Sequence, residues 1–124
     1  MNDIQAIAEL AQKYFDALYH GNADLFAEIF HPDARLYCNN NDDYVTMGVA
    51  DYLDVVRGRA SPAERGDRRA DEVIAISVPT PTTAHLRTRE VFLPKLFTDE
   101  LTLIKCDGNW RIVSKVWDFE LIAE

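Results

Sequence analysis

The chain reads as an α+β domain, helices first and strands afterwards, and three observations predict it. Apolar residues over 4–18, 25–30 and 49–56 fall at the spacing of a helix face. From Glu72 onward the pattern changes to runs rich in β-branched and aromatic residues, punctuated by proline. Between the last two runs, Asp107-Gly108 is a two-residue hairpin signal.

Ile4, Ile7, Ala11, Tyr14, Phe15 and Leu18 share one stripe, with Asn2 as cap, Gln5 three positions on and Gly21 as left-handed stop, so a helix is predicted over 3–20. Asn22 caps a second helix that carries Leu25, Phe26, Ile29 and Phe30 and stops before Pro32. Ala34 to Cys38 reads as a strand, Asn39 to Asp43 as a polar loop and Tyr44 to Met47 as a weaker strand. Val49, Tyr52, Leu53 and Val56 predict a third helix over 49–58. Arg57 to Asp71 mixes Gly, Pro and charge without period and reads as an exposed connection, with little function unless as a lid. The β runs are Val73–Val78, Ala84–Leu93, Phe97–Cys106 and Asn109–Leu121.

At 124 residues the chain fits one domain, 1–124. Hydrophobic residues at 48% exclude the composition of disorder. Thirteen basic against twenty-one acidic residues give a net charge of −8, which disfavours nucleic-acid and anionic-membrane partners. With no basic leader and no long apolar run, a cytoplasmic location is expected. Cys38 and Cys106 read as free thiols; no metal is expected, because ligand spacing is lacking, and no cofactor.

Taking Asp107-Gly108 as the turn pairs Cys106 with Asn109 and, by arithmetic, Lys105 with Trp110, Leu103 with Ile112, Leu101 with Ser114 and Asp99 with Val116 on an inner face. On the outer face, Ile104 meets Arg111, Thr102 meets Val113 and Glu100 meets Lys115. Ile104, Val113 and Trp117 would then be an uncovered apolar set, which predicts a homodimer through the outer sheet face. A turn at Pro94-Lys95 would pair Phe92 with Phe97, Glu90 with Asp99 and Arg89 with Glu100. Glu90, Asp99 and Asp118 would converge on the inner face, a costly arrangement without solvent, a cation or a donor-rich ligand.

Two segments, YFDALYHGNADLFAEIFHPDARLY (14–37) and FTDELTLIKCDGNWRIVSKVW (97–117), resemble the nuclear transport factor 2-like (NTF2-like, SnoaL-like) superfamily, the second segment being most similar to its lumazine-binding branch. The resemblance implies a cystatin-like cone: N-terminal helices packed in a strongly curved, mixed, mostly antiparallel sheet of about six strands, with a pocket at one end and a dimer interface on the outer face. It further implies that Tyr14, Cys38, Leu101, Leu103, Ser114 and Val116 point toward the pocket. Tyr14 resembles the oxyanion-stabilising tyrosine of the superfamily's steroid isomerases. The position of their aspartate base is Cys38, a poor substitute, and no inner-face carboxylic acid matches their second oxyanion donor.

The candidates each have a plainer reading. Tyr14 suits a ligand contact or a satisfied core hydroxyl. Glu90 and Asp99 are the sharpest acid–base candidates, with Asp118 beside them, yet could be solvated edge carboxylates. His31 reads as a structural corner and Cys38 as a small buried hydrophobe. Arg87, Arg89 and Lys115 fall on the outer face as ion-pair residues; Lys105 snorkels beside the turn.

Three functions therefore stand open. A binding module would hold a small, partly apolar molecule among Tyr14, Phe15, Cys38, Leu101, Leu103, Trp110, Ile112, Ser114 and Val116. A cofactor-free isomerase or dehydratase would act on a small cyclic substrate with a carboxylate and Tyr14. A dimerisation module would carry a filled cone. Binding ranks first, because no residue set matches a known catalytic constellation in type and spacing.

Overall fold

In the computed structural model, which describes residues 2–122, Asn2 and Gly21 bracket helix α1 (Asp3–His20) as predicted. Asn2 and Gln5 cap each other reciprocally, and Gly21 ends the helix at φ 63°. Asn22 accepts the Leu25 N–H to start α2 (Ala23–Ile29). Strand β1 (Phe30–Asn40) begins before Ala34 and runs through Pro32, which the sheet tolerates because the ladder is broken there, between Phe30 and Arg35. The polar run after Cys38 is not a loop: Asn41 and Asp42, both at positive φ, form the tight turn into β2 (Asp43–Gly48).

Helix α3 (Val49–Gly58) follows as predicted. The segment that reads as an open connection contains a fourth helix, α4 (Pro62–Arg65), capped by Ser61 and Glu64 and closed by Gly66 at φ 72°. Four residues show no hydrophobic period, so only the caps could have signalled it. Contacts from α1 hold the segment in place: Tyr19 Oη donates to the Asp67 carbonyl at 2.6 Å, and Arg69 bridges Asp16 at 2.7 Å and Asp71 at 2.9 Å.

Strands β3 (Asp71–Thr80), β4 (Thr83–Phe92), β5 (Lys95–Cys106) and β6 (Asn109–Leu121) complete one open six-stranded sheet of order β2-β1-β6-β5-β4-β3. It is mixed, because β1 and β6 run parallel while the other neighbours are antiparallel. The apolar stripe of α1 buries Ile7, Leu10, Ala11, Tyr14 and Phe15 in a core shared with Leu86, Leu101, Leu103, Trp110 and Ile112.

Two registers differ from the arithmetic, with opposite consequences. At the β4–β5 turn Phe92 pairs with Lys95, so Glu90 meets Phe97, Thr88 meets Asp99 and Arg87, not Arg89, meets Glu100. This is a slip of two, which preserves every face. In the last hairpin the predicted pairs hold from Cys106–Asn109 to Leu103–Ile112, and then Thr102 pairs with Ser114, leaving Val113 as the extra residue of a bulge. A slip of one reverses all faces beyond it. Lys115 therefore pairs with Leu101 rather than Glu100 and turns inward, as does Trp117, while Val116 and Asp118 turn outward. Ser114, opposite exposed Thr102, leaves the inner face as well.

Candidate active site

The bulge at Val113 brings a lysine to the wall that already holds two carboxyls. Asp99 is 1% exposed, Glu90 5% and Lys115 6%, an unusual trio for an interior. Tyr14 Oη, from α1, donates to Asp99 Oδ2 at 2.5 Å. Lys115 Nζ lies 3.8 Å from that oxygen and donates to Tyr52 Oη at 3.4 Å, while the rings of Tyr14, Tyr52 and Trp117 surround it at 5.3, 5.0 and 5.6 Å. A buried ammonium is stable only with such compensation from an anion and from aromatic faces.

Glu90 Oε1 accepts from Thr88 Oγ1 at 2.9 Å. Its Oε2 and Asp99 Oδ1 are buried without a partner so long as both groups are ionised. One proton on Glu90 donated to Asp99 satisfies both oxygens. Burial first, and then the neighbouring Asp99 charge and hydrogen bond, push Glu90 well above the usual carboxylate range. Burial and the Asp99 and Glu90 charges likewise keep the Tyr14 hydroxyl protonated. For Lys115 burial works against the charge, but the attraction of Asp99, Tyr52 and Glu90 outweighs it and its pKa is raised. Glu90 is thus the member of the pair that holds a proton and Lys115 is an ammonium, with Asp99 accepting from Tyr14 and facing Lys115.

Glu90, Asp99 and Lys115 line a cavity of about 200 Å³, together with Phe15, Tyr52, Trp117 and residues of the 59–71 segment. That segment, expected to contribute little, supplies Arg59, Pro62, Arg69, Ala70 and Asp71 to the wall. Of the expected pocket residues, Phe15 lines the cavity. Tyr14, Cys38, Leu101, Leu103, Trp110 and Ile112 are buried but do not line this cavity, and Tyr14 meets the site through its hydroxyl on Asp99 and its ring beside Lys115. Ser114 and Val116 are off the inner face, Val116 being 45% exposed.

Asp118, expected beside Glu90 and Asp99, accepts from Asn40 Nδ2 at 2.7 Å at the surface, and that bond lowers its pKa. Trp117, expected in an outer interface, lines the cavity. Lys115, expected outside with Glu100, is the cation facing Asp99, and Glu100 instead pairs with Arg87 at 2.8 Å and His85 at 2.9 Å. Asp99, expected on the inner face but not matched to the steroid isomerases' second oxyanion donor, is the carboxyl that accepts from Tyr14. Cys38 has its thiol pushed up by burial, and His31 Nδ1 accepts the Asp33 N–H at its corner. Lys105 is engaged with Asp3 at 3.1 Å, where Trp110 Nε1 also donates.

The described residues hold no cluster of three or more metal-ligating side chains, and no helix among them is long and apolar enough to cross a membrane. The family model described as Putative lumazine-binding matches residues 2–118. The chain is 30% identical over 118 residues to the aldolase FrzH of Cladobotryum sp, covering 94% of this chain and 90% of that one. Among solved structures, NTF2-like proteins of unknown function from Methylobacillus flagellatus KT (28% identity, TM-score 0.80, 95% and 92% covered) and Silicibacter pomeroyi (24%, 0.84, 94% and 95%) share the fold. The six-stranded mixed sheet, the helix order and these matches agree: the chain belongs to the Putative lumazine-binding family of the NTF2-like superfamily.

Proposed function

We propose that this chain binds a small carbonyl compound in the cavity and moves a proton at the carbon next to the carbonyl, using its own side chains. The observation that carries this reading is a buried ammonium and a carboxylic acid–carboxylate pair on one cavity wall. Lys115 is placed to polarise the carbonyl oxygen and stabilise the enolate oxygen. Asp99 takes the proton as the C–H bond breaks, its electron pair becoming the enolate double bond. Protonated Glu90 supplies the acid of the pair. The enolate then takes a proton at another carbon, which is isomerisation, or adds to a second carbonyl, which is aldol chemistry.

The activity named for the Cladobotryum relative supports the second branch. Tyr14 is a positioning residue here, holding Asp99, and not a contact of the ligand. Lys115 works as a charge rather than as an imine-forming amine, since its proton is held tightly.

The test is deuterium uptake from heavy water, followed by NMR, across a panel of small ketones, together with cleavage of the matching 3-hydroxy ketones. Wild type should accelerate exchange in at least one member, and Asp99→Asn should lose roughly 10²–10⁴ of that rate. Borohydride should trap no adduct at Lys115. No exchange above buffer across the panel, or an unchanged rate in Asp99→Asn, would sink the reading. We also propose that two copies associate through the outer face, where Ile104, Val113 and exposed Val116 remain once Trp117 is removed from the set.

A further inference from the structure

Four cations line the cavity, and two of them are already engaged. Arg69 is held by Asp16 and Asp71, and Lys115 faces Asp99. Arg59 and Lys95 have no carboxylate partner among the described residues. Both instead rest on aromatic faces: the Arg59 guanidinium lies 4.6 Å from the Phe92 centroid and 6.0 Å from Tyr52, and Lys95 Nζ lies 4.2 Å from Phe119 and 6.0 Å from Phe97.

Every carboxyl of the same wall is already spoken for. Asp71 serves Arg69, Asp99 serves Lys115 and Tyr14, and Glu90 is held neutral by burial. Among the described residues the lining therefore carries two positive charges without a carboxylate partner, within a protein of net charge −8. A low-dielectric concavity focuses such charge, so the cavity attracts anions although the molecule as a whole repels them. A guanidinium stacked on a ring keeps its edge N–H groups free, in the planar fork that matches a carboxylate.

We propose that the ligand of this cavity is a small oxo acid, a carbonyl compound whose carboxylate is held by Arg59 and Lys95 while its carbonyl meets Lys115. The carbonyl half of this statement rests on the proton-transfer reading above; the carboxylate half does not. The size of the cavity, below the roughly 300–1,000 Å³ of sites for drug-sized ligands, limits the acid to a small skeleton. Phe15, Phe92, Phe97 and Trp117 give that skeleton apolar walls.

Benzoate, its neutral isostere benzamide, and inorganic phosphate separate the possibilities when titrated at low salt by calorimetry, with indole fluorescence as a second signal. Benzoate should bind in the millimolar range or better and exceed benzamide by at least about tenfold. Arg59→Met should cost benzoate roughly ten- to a hundredfold, Lys95→Met somewhat less, and neither should change benzamide. Benzoate binding is read in the wild type without any turnover, so a failure of the catalytic reading leaves this result readable. Equal affinity for benzoate and benzamide in the wild type, which needs no variant to fold, would overturn the proposal. Absence of benzoate binding at millimolar concentration would do the same, and phosphate binding more tightly than benzoate would overturn the carboxylate assignment.

Discussion

The last hairpin divides at Val113 into two halves whose inner faces are both buried and are built on different physics. On the turn side, Leu103 at 1% exposure and Ile112 at 0% pack against apolar neighbours. Beyond the bulge, Asp99 at 1% and Lys115 at 6% occupy the same inner face. Apolar burial needs only shape, whereas buried charge persists only while every partner is in place. The first half holds the fold together; the second takes from it the fixed geometry and dry surroundings that strengthen electrostatic action.

Removing a partner should break this comparison most strongly. Asp99→Leu leaves the Lys115 ammonium buried and unpaired, with an expected loss of about 3–5 kcal/mol in urea unfolding. Asp99→Leu combined with Lys115→Met should recover most of that loss, because an apolar replacement of a buried pair is often near neutral. Leu103→Ala should cost about 2–5 kcal/mol through the cavity it opens, and neither of those site substitutions should rescue it. A double variant no more stable than Asp99→Leu alone would mean that Lys115 is not held by pairing.

Acidity distinguishes the halves next. Glu90 has a folded-state pKa raised above its unfolded value, so it binds its proton more tightly when folded. Its contribution is fully present below the ordinary value of 4.5 and is lost as pH rises through the folded value. Asp3 and Asp118 are lowered and act in the opposite sense, but their contribution is lost only as pH falls below the ordinary 3.8. Lys115 and Tyr14, both raised, contribute until pH passes their ordinary values of 10.5 and 10.0 and lose it only above those. The window just above 4.5 therefore belongs to Glu90. Thermal unfolding midpoints across it should fall with pH more steeply in wild type than in Glu90→Gln. Leu103→Ala should keep the wild-type slope, and a Glu90→Gln slope equal to wild type would show that Glu90 is not held protonated.

What could be read from the sequence follows the same division. The helix caps, the three longer helices, the strand runs and the turn at Asp107-Gly108 depend on local chemistry, and they stand where the sequence puts them to within a few residues. Glu90 and Asp99 share the inner face despite a wrong turn position, because a slip of two does not disturb parity. Lys115 and Trp117 were illegible, since nothing local to Val113 announces a bulge. One hint existed: straight alternation left Trp117 exposed and put polar Ser114 inside. Arg59 was illegible for another reason: it is the residue that ends α3, and a helix stop carries no signal of the cavity its side chain meets, while the four-residue α4, which adds Pro62 to the same wall, is too short to show a period.

The smallest effect tests the faces themselves. Val116 points outward at 45% exposure between two inward residues, Lys115 and Trp117, so Val116→Lys should alter the stability of the isolated fold by no more than about 0.5 kcal/mol. Denaturation at dilute protein concentration measures this, and a loss as large as that of Leu103→Ala would place Val116 inside and remove the bulge. The same variant bears on association. If two copies meet on the outer face, light scattering at micromolar concentration should give a dimer mass for wild type and a monomer for Val116→Lys, because a buried, unpaired ammonium at an interface is costly. Wild type at monomer mass, unchanged on concentration, would leave Ile104, Val113 and Val116 as ordinary exposed surface.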